Sequence, residues 1–266
     1  MAVIVLCSAS GSPGTTTSAL ALALTWPRPV LLVEADPTGG SAVFAGYLRA
    51  ESAPTGSLID LALASRHGRL TEAVAQATTK LPGRPESMVS LLPGTRAHGQ
   101  ARSLLPLWES LSAELKALEA TGQDVIVDAG RLGLSGSPEP LLYGADLALM
   151  VIRSDLVSLS AARSWAETLR TGFASVGAAS SLGLLLVGEG KPYSARDVRK
   201  VLQIPVTAPL AWDQEAADVF AKGSTAPRRF DSSQLVRSLK AATTSIQSTL
   251  VANRAQLVAV RARRAT

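Results

Sequence analysis

The sequence predicts an α/β fold: a single doubly wound, mostly parallel sheet with helices on both faces. Three observations carry this. Apolar runs of strand length alternate with stretches of helical periodicity along nearly the whole chain, the pattern of βαβ units. Runs such as Val30-Leu31-Leu32-Val33 and Leu147 to Ile152 are continuous rather than alternating, as in strands buried on both faces. The first run, Val3 to Leu6, stops at Ser8-Ala9-Ser10-Gly11-Ser12-Pro13-Gly14, and Thr15-Thr16-Thr17-Ser18 then opens an Ala/Leu-rich helix. Strand, glycine loop and helix N-terminus in that order aim backbone N–H groups at a phosphate.

The elements follow in turn. Ser18 to Thr25 is helical and is ended by Pro27 and Pro29. The strand Val30 to Val33 runs into an acidic loop, Glu34-Ala35-Asp36-Pro37-Thr38-Gly39-Gly40, at a strand end where open α/β sheets bind ligands. Leu58 to Leu63 and Leu70 to Thr78 read as short helices around a turn at Gly68. Met88 to Leu92 is a strand closed by Pro93-Gly94. Leu104 to Ala120 has helical periodicity, with Leu105, Trp108, Leu111, Leu115 and Leu118 on one face. Gln123 to Gly130 is a strand closed by Asp128, and Asp146 opens the strand Leu147 to Ile152. Leu159 to Leu169 is a helix and Leu182 to Val187 a strand. Ser194 to Leu202 is a helix with Ser194 as N-cap and Asp197 three residues on. Pro205 to Pro209 is a short edge-like strand. Gln214 to Lys222 is a helix stopped by Gly223, and Gln234 to about Arg263 forms one long helix or two. With no repeat or linker, residues 1–250 read as one domain and 251–266 as a basic tail.

Composition narrows the function classes. In 266 residues, 47% apolar and 18% charged content supplies a core and argues against disorder. No apolar run reaches membrane-spanning length. The N-terminus lacks a basic segment before its apolar run, which argues against a secretory signal and for a cytoplasmic protein. Cys7 is the single cysteine and lies in a buried strand, so it reads as a small core residue in a reducing compartment. His67 and His98 have no metal-ligand spacing, and no Ser-His-Asp or Cys-His constellation is readable. The net charge of +5 is uneven: Arg237, Lys240, Arg254, Arg261, Arg263 and Arg264 stand after Asp231 with no acidic residue among them. Such a segment suits an anionic surface, nucleic acid or membrane, and equally suits a solubilising tail.

The order of these features resembles the ParA/MinD family of nucleotide switches across nearly the whole chain. That family opens with a deviant Walker A loop, Lys-Gly-Gly-x-Gly-Lys-Thr-Thr, which Ser10-Gly11-Ser12-Pro13-Gly14-Thr15-Thr16-Thr17 matches in place. Its second strand ends Asp-x-Asp-Pro-x-Gly, here Glu34-Ala35-Asp36-Pro37-Thr38-Gly39. Its Walker B strand corresponds to Val125-Ile126-Val127-Asp128, and the next begins Ala-Asp, here Ala145-Asp146. The resemblance implies ATP or ADP with Mg²⁺ as cofactor. Gly11, Ser12, Gly14, Thr15, Thr16 and Thr17 would cradle phosphate, Thr16 and Asp128 would serve the metal, and Asp36 would orient water. A purely structural reading also stands: Thr15 to Ser18 cap a helix, Asp128 caps a loop and Asp36 fixes a turn before Pro37.

The departures are systematic. Both family lysines are replaced, by Ser10 and Thr15, and Pro13 removes a backbone N–H from the loop. A charged hydrogen bond is worth about 1.5–3 kcal/mol, so losing two weakens triphosphate binding by roughly two to four powers of ten. The asparagine that the family tends to place at the strand end Val187-Gly188-Glu189 to read adenine is absent. One cysteine excludes a cluster-bearing relative. The expectation is therefore a positioning or assembly factor with a degenerate nucleotide site and weak or no hydrolysis, similar to the TadZ/CpaE-like branch, homodimeric and partnered in a pilus, secretion or partition system. The alternative is an active partitioning or septum-site ATPase that binds ATP and Mg²⁺ through Thr16, Asp36 and Asp128. A small-molecule enzyme with a rewired site is a third. The resemblance also implies DNA contact without sequence preference through the six basic residues above. A membrane-seeking tail is not expected, because basic and apolar residues interleave and no Trp or Phe anchors an interface.

Overall fold

A computed structural model describes residues 2–11, 13–51, 53–83 and 88–264, with the side chains of Glu119 and of residues from 257 onward excepted. Ser12 and the side chains of Arg261, Arg263 and Arg264 thus lie outside the described residues. Eight strands form one sheet: β1 (Val3–Ser8), β2 (Val30–Glu34), β3 (Thr79–Lys80), β4 (Val89–Leu92), β5 (Asp124–Arg131), β6 (Leu147–Arg153), β7 (Leu182–Val187) and β8 (Val206–Leu210). Their order is β3-β4-β2-β5-β1-β6-β7-β8, parallel throughout except where β3 meets β4. The α-helices are α1 (Thr15–Thr25), α2 (Leu58–Ser65), α3 (Leu70–Ala77), α4 (Leu107–Ala117), α5 (Glu139–Gly144), α6 (Leu156–Ser175), α7 (Ala195–Leu202), α8 (Gln214–Lys222) and α9 (Gln234–Arg264).

Strand side chains alternate between faces, and both faces are buried. Val5 and Cys7 of β1, Val33 of β2 and Val127 of β5 pack onto a layer that includes Leu58, Trp108, Leu111 and Phe173. Ile4, Leu6, Leu32 and Ile126 pack the other way, onto Leu20 and Leu22 of α1 and Val236, Leu239 and Ile246 of α9. Two covered faces are why the strands read as continuous apolar runs. Helix α1 packs on the sheet beside α9, which itself lies directly on β8, and it also touches α8; Ala19 to Ala23 are all buried. Its alanines let the neighbouring backbones approach. The chain builds β2 and β4 out on one side of β1 and β6 to β8 on the other. The loop after β1 therefore sits at the point where strand order reverses, the usual binding crevice of an open α/β sheet.

Local chemistry explains the helix ends. Ser194 accepts from the Asp197 N–H and Asp197 accepts back, a capping box. Asp213 caps α8, and Gly223 (φ 61°) ends it in the left-handed conformation. Asp155 accepts from the Ser158 N–H at 2.9 Å, so α6 begins at Leu156, one turn before the expected Leu159, and runs on to Ser175. The expected helix Leu104–Ala120 is corrected. Residues 98–104 form a 3₁₀ segment, Pro106 occupies the N-cap of α4, and a further 3₁₀ turn spans Leu118–Thr121. Leu105 is consequently 53% exposed rather than on the buried face with Trp108, Leu111 and Leu115. The two-residue β3 was too short for periodicity to reveal. Helix α9 is a single helix that passes residue 250 without a break, and Asn253 Nδ2 donates to the Ser180 carbonyl at 3.0 Å.

Candidate functional site

Strand β1 ends at Ser8, and Gly14 takes the N-cap of α1 with φ 92°. Only glycine adopts that backbone readily, and it aims the helix N-terminus at the crevice. Thr15 follows on the inner side, 7% exposed, and its Oγ1 is buried without a hydrogen-bond partner. Thr16 Oγ1 donates to Asp128 Oδ2 at 2.5 Å, which ties α1 to the end of β5 across 112 residues of sequence. The Gly130 N–H donates to Asp128 Oδ1 at 3.0 Å.

Asp36 is brought to the same place. Its Oδ1 accepts from the Thr38 N–H at 2.8 Å, and its carboxyl lies so close to Gly130 that a Cβ there would overlap it. The Ala35 N–H donates to the Asp128 carbonyl at 2.8 Å, which fixes the two strand ends together. Asp128 is 2% exposed. Burial pushes its carboxyl up to about 6, the hydrogen bonds from Thr16 and Gly130 hold it lower than burial alone would, and the Asp36 charge adds to the rise. Of the residues expected at the site, Gly14, Thr15, Thr16, Asp36 and Asp128 thus converge. Thr17 turns toward the β6–β8 side, where it lines a cavity of about 140 Å³. Gly11 is exposed and nothing lies within 4 Å of where its side chain would start.

Three features escaped the sequence. Glu34 is 5% exposed, bonded by the Ser41 hydroxyl and by the Val43 N–H at 3.1 Å, and burial pushes it up to about 7. Its place in the acidic loop was legible but its burial was not. Arg131 and Arg153 are the last residues of β5 and β6, the two strands that flank β1. The strand-end position was the available signal. The Arg153 guanidinium lies over the Trp212 ring at 4.4 Å, and its Nε is buried without a partner. Burial and the charge of Asp128 push the Cys7 thiol up to about 12, which makes it an inert core residue as expected. His67 and His98 are exposed. A wider cavity of about 780 Å³, bounded by Thr25, Tyr47, Phe220 and Phe230, lies at the far end of α1, away from the loop.

Whether these residues fit a nucleotide with Mg²⁺ turns on their donor chemistry. Among the described residues no group of three or more His, Cys, Asp or Glu side chains could hold a metal by itself. Mg²⁺, however, takes one or two protein oxygens together with phosphate and water oxygens. Thr16 and Asp128 supply hard oxygens of that kind, and the unpartnered Thr15 hydroxyl is a donor with nothing yet to bind. The set fits the metal; the positions of Ser10 and Thr15 supply no charge for the phosphates.

At the other end of the molecule, Arg237, Lys240 and Arg254 are exposed on α9. No helix among the described residues is long and apolar enough to cross a membrane.

No protein-family model matches the chain, and no curated protein sequence does. Solved structures do. MinD complexed with Mg-ADP from Pyrococcus horikoshii superposes with a TM-score of 0.70 at 18% identity, over 92% of this chain and 95% of that one. A ParA family ATPase from Chlorobium tepidum gives 0.70 at 18% identity, over 91% and 98%. The McdA–ATP complex of Cyanothece gives 0.67 at 19% identity, over 94% and 96%. The fold is that of the MinD/ParA P-loop ATPases.

Proposed function

We propose that this protein is a cytoplasmic ParA/MinD-like positioning or assembly factor whose nucleotide site is degenerate, with weak or no ATP hydrolysis. One observation carries the reading: Thr16, Asp128 and Asp36 stay assembled beside a glycine-capped helix N-terminus, while the two loop positions that carry lysine in the family are Ser10 and Thr15. Gly14 and the first turn of α1 would receive phosphate, and Thr16 with Asp128 would hold Mg²⁺. Bound Mg²⁺ would neutralise phosphate charge. Asp36, half-buried and held by the Thr38 N–H, would orient a water. Without a loop lysine the developing charge of phosphoryl transfer lacks its usual stabiliser, worth about 10³–10⁵ in rate when a cation is supplied in trans.

In this reading the protein acts as a homodimer on a partner of a pilus, secretion or partition system, as in the TadZ/CpaE-like branch. The basic residues Arg237, Lys240 and Arg254, with Arg261, Arg263 and Arg264 of the tail 251–266, supply non-specific contact with DNA. The competing reading, an active partitioning ATPase, is favoured by the same intact Thr16–Asp128 bond. Calorimetric titration with ATP and ADP in the presence of Mg²⁺, on the native protein and on Asp128→Ala, decides. Weak binding lost in the substitution, with little or no phosphate release in a parallel hydrolysis assay, is the expected result. Steady turnover lost in Asp128→Ala would establish the active ATPase, and absence of heat at millimolar nucleotide would remove that active reading and leave the loop a vestige.

A further inference from the structure

The loop carries no cation, yet the strand on either side of β1 ends in one. Of the two, Arg131 is exposed, whereas Arg153 is built into a cavity. That cavity, about 140 Å³, is walled by Pro13, Gly14, Thr17 and Ser18 on one side and by Arg153 and Trp212 on the other. The Arg153 guanidinium carbon lies 4.4 Å from the centroid of the Trp212 ring, a cation–π contact. Its Nε–H is buried and unsatisfied, and buried donors almost always have partners. The cavity's carboxylates are occupied elsewhere. Asp213 accepts from the Ala216 N–H at 3.2 Å, and Asp218 binds Lys222 Nζ at 2.8 Å and Gln214 Nε2 at 2.7 Å. No ion pair to Arg153 occurs among the described residues. In the adjoining first turn of α1, Thr15 Oγ1 is a second buried group without a partner.

We propose that Arg153 is the phosphate-binding cation of this site, supplying from the end of β6 the charge that the loop has lost. The proposal rests on the nucleotide reading above and names the residue that makes it electrostatically feasible. The cavity is smaller than the roughly 300–1,000 Å³ that whole small molecules occupy. It admits one phosphate group of a nucleoside diphosphate beside Gly14 and Thr17, with the remainder of the ligand along the open strand ends. An arginine presents a fork of donors to such an oxyanion, so a lysine at the same position would replace the charge but not the geometry.

The test is titration of the native protein, Arg153→Gln and Arg153→Lys with Mg-ADP and, separately, with inorganic pyrophosphate, after thermal melts have shown that each variant folds. Arg153→Gln is expected to bind both ligands about ten- to a hundredfold more weakly, with Arg153→Lys between. If the native protein binds ADP and Arg153→Gln binds it within twofold, Arg153 is not the cation and the nucleotide reading survives. If the native protein binds pyrophosphate but not ADP, and Arg153→Gln loses it, Arg153 keeps its role and the nucleotide reading falls. If the native protein binds neither, both are overturned. Should Arg153→Gln fail to fold, Arg153→Lys decides alone: affinity equal to native for both ligands overturns the fork contact.

Discussion

Replacing Asp128 with asparagine should make the protein more stable near neutral pH while removing the carboxylate proposed to hold Mg²⁺. The carboxyl sits 2% exposed at the end of β5, and burial raises it from an ordinary value of 3.8 to about 6. Because the folded value lies above the unfolded one, the native state keeps the proton longer as pH rises. The contribution of the protonated acid to stability is full below about pH 4 and is lost as pH climbs through about 6. Two units at about 1.4 kcal/mol each put the total near 3 kcal/mol. Asparagine has the same shape, can still accept from the Gly130 N–H, and can donate to Thr16 Oγ1. Urea denaturation at pH 7.5 should therefore show Asp128→Asn more stable by up to about 3 kcal/mol, with the gap narrowing by about 2 kcal/mol at pH 4.5. Glu34, raised to about 7 mainly by burial and in part by the Asp128 charge, also titrates in this range, and losing that charge in the variant lowers it, which adds to the gap at pH 7.5. Mg-ADP should raise the native midpoint and leave that of the variant unchanged. A gap that is level from pH 4.5 to 7.5, or a variant less stable than native at pH 7.5, would refute the reasoning.

Three further outcomes are expected. Gly130→Ala places a methyl group into the Asp36 carboxyl at a residue with φ 63°, so denaturation should show a loss of about 1–3 kcal/mol; a loss below a few tenths would mean that the two strand ends do not meet as described. Cys7, fully buried with its thiol raised to about 12, should resist a thiol reagent at pH 8 until denaturant unfolds the protein, which a spectrophotometric thiol count checks. Joint replacement of Arg237, Lys240 and Arg254 by alanine should weaken a gel shift of random duplex DNA and lower its salt dependence by about three counterions' worth of slope; an unchanged shift would remove these residues from any DNA contact.

Much of the fold was legible because its cause is local. The β7 bounds, the α8 bounds with Gly223, and the Ser194 cap each depend on residues within a few positions of one another. The same holds for the loop: Gly14 and the absence of any lysine or arginine from Ser8 to Ser18 are visible without a structure. The misassigned Leu105 shows the limit. Its spacing matched the buried face of α4, but Pro106 caps that helix, which begins at Leu107, and Leu105 lies exposed in the turn before it. Leu156 and Val157 were left out of α6 because they are apolar yet 66% and 79% exposed, which breaks the periodicity that located the helix.

The sequence by itself determined an alternating α/β chain, a glycine loop between the first strand and the first helix, and the lack of any basic residue in that loop, since periodicity, glycine placement and residue type are all read along the backbone. Only the tertiary structure decided which charges meet. Thr16 reaches Asp128 because β1 and β5 are paired, Arg153 lies on Trp212 because β6 and β8 end on the same edge, and Glu34 is desolvated by a loop folded over it. Burial and electrostatic coupling depend on distance through space, and the chain order does not encode that distance until the sheet is assembled.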